Sequence, residues 1–158
     1  MKQVNKITLL FVLFVSVAMQ GSSEYDYGYY AVYMSRETLE KSVFFLETGK
    51  EIKNPGKIYY KKPYLFINEK YKGVHVIDNT DPKNPVKKGF IVAPGCLDMA
   101  VKDSVIYLDN AVDMVSFDLT EMKEAKRIRS VFPELVPPGD ARYDDDRGDL
   151  IIVEWVKK

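Results

Sequence analysis

Pro63-Tyr-Leu-Phe-Ile-Asn68 followed by Gly73-Val-His-Val-Ile-Asp78 decides the reading of this chain, because the pattern recurs. Downstream stand Val105-Ile-Tyr-Leu-Asp-Asn110 and then Asp113-Met-Val-Ser-Phe-Asp118. Each copy is an apolar strand, a short polar turn and a second strand closing on Asp. Asp78 and Asp118 are 40 residues apart, the length of one four-stranded propeller-type unit. Further strands fall around these pairs at 57–60, 87–92, 98–102 and 125–131. Their punctuation is rich in Pro, Asn and Asp, above all in Asp78-Asn-Thr-Asp-Pro-Lys-Asn-Pro85. A last, almost wholly apolar strand, Leu150-Ile-Ile-Val-Glu-Trp-Val156, reads as buried on both faces. It is expected to lie centrally in a sheet or to pair its edge with another subunit.

Outward from this core the chain changes character. Residues 1–23 form an export signal segment: Lys2 and Lys6 precede an apolar run, Ile7 to Met19, shorter than the ~20 residues of a membrane span. Small residues follow, and Ala18 suits cleavage. Met19-Gln-Gly-Ser22 has the shape of a lipoprotein site with Ser22 where the lipid-bearing Cys would sit, so no lipid anchor is expected there. Residues 24–34 read as a flexible leader. A short helix is expected over 35–49, capped by Ser35, with Glu37 in its first turn and Leu39, Val43 and Leu46 on one face. Residues 50–158 form the β domain. The fold class is therefore mainly β: two four-stranded antiparallel blade-like meanders, a partial propeller or sandwich, with one short N-terminal helix.

Charge excludes some functions. The chain holds 23 basic and 23 acidic residues, and losing Lys2 and Lys6 with the signal leaves a slight acidic excess. Such a balance attracts neither nucleic acid nor an anionic membrane. A single cysteine, Cys96, cannot form an intramolecular disulfide and reads as a buried, inert thiol.

The strands Val74-His-Val-Ile-Asp78 and Met114-Val-Ser-Phe-Asp118, with the Asn79-Thr-Asp-Pro82 turn, resemble the LVIVD-repeat family of bacterial and archaeal exported or surface proteins. The resemblance covers about residues 54–131 and implies a propeller-like arrangement and an envelope location. It brings no catalytic residues, because the family has no common established activity. Two repeats cannot close a ring of about four blades. The chain reads as a short member with a different closure, a subunit of a larger ring, or a truncated product; a closed monomer is favoured over an oligomer.

Candidate chemistry is sparse. His75, the single histidine, lies in a strand and points away from the face of Val74 and Val76. Tyr59, Tyr64 and Tyr71, interleaved with lysines, are candidates with His75 for stacking on a glycan or protein partner; a charged sheet surface is the other reading. Asp144, Asp146 and Asp149 could supply oxygen ligands to calcium, although their order departs from the EF-hand pattern; the other reading is a solvated turn. Asp78 and Asp118 are read as holding turns. The expected function is that of an exported non-catalytic binding or scaffold protein of the bacterial cell envelope. The alternative is an envelope glycan- or peptide-acting enzyme using strand-end Asp residues and His75.

Overall fold

A computed structural model describes residues 28–139, 141–144 and 146–158, so the expected export signal and the first part of the expected leader lie outside the described residues. The fold is mainly β. Strands β3 (Pro55–Lys61), β4 (Tyr64–Glu69), β5 (Gly73–Asp78) and β6 (Val86–Val92) form the first meander. Strands β7 (Met99–Lys102), β8 (Val105–Asn110), β9 (Asp113–Asp118) and β10 (Lys123–Ile128) form the second. All neighbours within each are antiparallel. The paired repeats of the sequence are thus the two central hairpins, β4–β5 and β8–β9.

Period-two alternation assigns the faces. Phe66, Val74, Val76 and Ile91 point inward from the first sheet, and Ile106, Leu108, Val115 and Phe117 point inward from the second. These eight side chains lie in one buried cluster, so the sheets pack face to face. At ~25 cal/mol per Å² of apolar area, burial of side chains this size is the main stabilising contribution. The turn before β5 needs Gly73: its φ is +136°, and a Cβ there would lie 1.9 Å from the carbonyl oxygen of Ile91.

Three regions depart from the sequence-based expectation. The helix over 35–49 shrinks to α1 (Arg36–Glu40), while β2 (Phe44–Leu46) joins the edge of the first sheet beside β6. Ser35 does cap α1, accepting the Thr38 N–H at 3.2 Å, and Glu37 does lie in its first turn. Beyond Lys41 a β-branched and two aromatic residues find an open sheet edge, and pairing there outweighs weak helical propensity. The leader over 24–34 is not a tether throughout: Tyr29–Met34 is strand β1. It runs antiparallel to β12 (Ile151–Lys157) and parallel to the two-residue β11 (Ala141–Arg142). In this three-stranded sheet β12 is an edge strand, not a central one. Its apolar side chains other than Val156 are nevertheless buried: Ile151 and Val153 pack with Leu39, Ala111 and Val112, and Trp155 with Ile152 and Leu135. Trp155 Nε1 donates to the Leu135 carbonyl at 3.3 Å.

Candidate functional site

The residues singled out for binding do not gather. Tyr59 is half-buried, its hydroxyl donating to the Val101 carbonyl across the two sheets at 3.3 Å. Tyr64 packs on Phe66 with ring centroids 6.2 Å apart. Tyr71 turns the β4–β5 hairpin at φ 63° and packs with Tyr29 and Trp155. Burial, with the Glu154 carboxylate and Tyr29 nearby, raises its phenol pKa. His75 is only 1% exposed and lies edge-on to Phe90. Three tyrosines in sheet packing and one buried histidine make no shared binding surface. The calcium reading meets a similar obstacle. Asp144 Oδ1 accepts the Asp146 N–H at 3.0 Å, a local turn. Among the described residues no three His, Cys, Asp or Glu side chains converge as metal ligands, so Asp144, Asp146 and Asp149 form no such set.

Asp78 and Asp118 take up the same turn geometry. Asp78 Oδ1 accepts the Thr80 N–H and hydroxyl at 2.9 and 2.6 Å. Asp118 Oδ1 accepts the Thr120 and Glu121 N–H groups at 2.7 and 3.1 Å. These bonds lower both carboxyl pKa values.

Two buried carboxylates organise the hairpin ends: Glu69, which the sequence did not single out, and Asp113, one of its strand-end Asp residues. Glu69, at the end of β4, accepts the N–H groups of Lys53 and Asn54 and faces His75 Nε2 at 3.1 Å. Burial works to raise its pKa, but these donors outweigh it and the net shift is downward. Its oxygens are engaged with the backbone ahead of β3, so the pair anchors that segment. Asp113, at the start of β9, has no exposed side-chain surface and meets Arg36 at 2.7 Å and Arg127 at 3.0 Å. It also accepts the Ser130 N–H at 3.0 Å. Arg127 reaches onward to Asn110 and Glu124. Burial again opposes ionisation, and the backbone and guanidinium donors again lower the pKa overall. This network ties α1 and the exit of β10 to the second hairpin. Asp113 is thus engaged within the fold, and the partners of His75 are Glu69 and Phe90, not Asp109, Asp113 or Asp118.

The surface suited to a ligand lies on the outer face of the second sheet. A cleft of about 520 Å³ opens there. Its floor is Ala100, Tyr107 and Met114, outward-pointing residues of β7, β8 and β9. Its wall is the segment 132–136, with Phe132, Leu135 and Val136. Asp98, Asp109 and Glu134 set three carboxylates on the lining against the single Lys57. Two are held in place: Lys57 Nζ lies 2.5 Å from Asp98, and Arg147 pairs with Glu134. Asp109 accepts the N–H groups of Leu97 and Asp98 at 2.9 and 2.8 Å, yet burial keeps its pKa raised. Cys96 lies just beneath, fully buried, with its thiol pKa pushed well up by burial and then by Asp109. The cleft can hold apolar groups beside cationic ones. The sequence carried its signal in Tyr107 and Met114, apolar at positions where a sheet with one wet face alternates to polar. No protein-family model, curated protein or solved structure matches the chain. Among the described residues no helix is long and apolar enough to cross a membrane.

Proposed function

We propose that this protein is an exported, non-catalytic binding protein of the bacterial cell envelope, a short relative of the LVIVD-repeat proteins. Its binding site is the cleft on the second sheet, which takes an apolar segment of a partner protein. The cleft itself carries this reading: an open, apolar-floored hollow bounded by strands on one side and the segment 132–136 on the other. Export is supported by the Lys-flanked apolar run of residues 1–23. The binding reading is preferred to the enzymatic one because the single histidine is sealed against Glu69 and its phenylalanine neighbour.

Nile red, a neutral dye that fluoresces in apolar surroundings, tests the site. The folded protein is expected to bind it, and a Tyr107→Glu/Met114→Glu variant that still unfolds cooperatively is expected to lose that binding. Unchanged dye fluorescence in the variant overturns the assignment.

A further inference from the structure

The two sheets are related by the internal repeat, and that relation says what each open face resembles. Aligning the hairpins places Leu65 and Ile67 on Ile106 and Leu108, and Ile77 on Phe117. Aligning the flanking strands by register places Ile58 on Met99 and Tyr60 on Val101. In the second sheet these residues are buried against the first: Met99 is 4% exposed and Val101 8%. In the first sheet Ile77 is buried, but the counterparts on β3 and β4 have no sheet to meet. Ile58 is 61% exposed, Tyr60 57%, and Leu65 and Ile67 are only half-buried. Segment 47–54 covers only part of this face, where Lys50 Nζ lies 4.7 Å from the Phe90 ring centroid.

The converse holds on the other side of the stack. The outer face of the second sheet aligns with the inner face of the first, Tyr107 on Phe66 and Met114 on Val74. Inside the chain, an inner face of the Phe66/Val74 kind receives a face of the Ile106/Leu108 kind. One protein molecule therefore displays both halves of an interface that it has already made once internally.

We propose that the partner taken by the cleft is a second copy of this chain, which lays the outer face of its first sheet, led by Ile58 and Tyr60, onto the outer face of the second sheet around Tyr107 and Met114. The inference rests on the cleft as the binding site and names its occupant. The contact is head-to-tail: each molecule uses a different face, and the stack continues the sheet-on-sheet order of the monomer.

Light scattering on the exported protein at micromolar concentration tests it. The expected mass is that of a dimer or larger assembly, rising with concentration. Ile58→Glu/Tyr60→Glu and Tyr107→Glu/Met114→Glu are each expected to give monomers. Mixing these two variants is expected to restore a dimer and nothing larger, because one intact face remains on each. Ile58 and Tyr60 are exposed, so the first variant folds without them, and a cooperative melt verifies this; Tyr107→Glu alone replaces the second pair if the double variant fails to melt cooperatively. A wild-type monomer, or an assembly whose mass neither variant changes, overturns the proposal. So does a cleft variant that still dimerises, which would indicate pairing of like faces. A monomer that still binds Nile red in the cleft sinks only the second-copy inference; loss of both signals sinks the binding site as well.

Discussion

The two central hairpins end alike and are locked differently. At the end of β4–β5, Glu69 stands opposite Gly73; at the end of β8–β9, Asn110 stands opposite Asp113. Each hairpin thus sets one carboxylate in its last cross-strand pair, on the first strand in one repeat and on the second strand in the other. Each acid holds down a segment from outside its hairpin. Glu69 does so with backbone N–H groups, with His75 of its own hairpin beside it, and Asp113 does so with two guanidinium groups and one N–H. A repeat can therefore keep its strands and turns while exchanging the device that fastens it. Shape is carried by alternation along the strands, whereas anchoring is carried by one polar residue whose partners are distant in sequence.

The difference in partners sets the order of expected effects. Asp113→Ala leaves Arg127, whose side chain is 9% exposed, without its buried partner, and is expected to cost about 3 kcal/mol in urea unfolding. A loss no larger than that of an exposed residue would mean that the Arg36–Asp113–Arg127 network contributes little. Glu69→Ala removes an acceptor shared by two N–H groups and is expected to cost about 2 kcal/mol. Hydrogen exchange should localise that loss, with the Lys53 and Asn54 amides losing protection ahead of the strands. Global loss of protection would make Glu69 part of the core and not an anchor.

Acid should reveal the same contrast through protons. Glu69 and Asp113 both have lowered folded pKa values, so their contribution is present above the unfolded carboxylate pKa and is lost as pH falls through the folded values. Asp109 is raised, so its sign is opposite: stability is present below its unfolded pKa and is lost as pH rises through the folded one. Asp113→Asn should flatten the acid limb of a stability–pH curve. Asp109→Asn should give the smallest effect, a gain relative to wild type at neutral pH that shrinks on acidification. An Asp109→Asn curve parallel to wild type at all pH values would remove burial as the cause of that shift.

Much of this architecture is readable residue by residue. The eight meander strands follow from alternation and from turns rich in Asp, Asn, Pro and Gly, all of which act over short sequence distances. Asp78 and Asp118 were legible as turn residues because their hydrogen-bond partners lie two or three positions on. What sequence could not place depends on distant partners. Tyr29, Ala31 and Tyr33 alternate inward as a strand should, but the residues they pair with lie at position 141 and beyond 150. Val43 to Leu46 has helical spacing and strand-forming side chains at once, and only the free edge of β6 decides between them. His75 offered no sign that it would be buried between Glu69 and Phe90. The cleft was hidden because its wall, residues 132–136, comes from a stretch that sequence marks only as a break.

The union of β1 with β12 has a consequence in time. Tyr29 lies opposite Lys157, so residues near the two ends of the described chain meet in one ladder. A chain emerging N-terminus first, from the ribosome or through a membrane pore, exposes β1 long before its partner exists. The two meanders precede β12 in the chain, but the third sheet cannot assemble until β12 is free. Folding of this sheet is therefore timed by the emergence of β12. Until then Tyr29, Ala31 and Tyr33 remain available to any chaperone that recognises an unpaired aromatic strand.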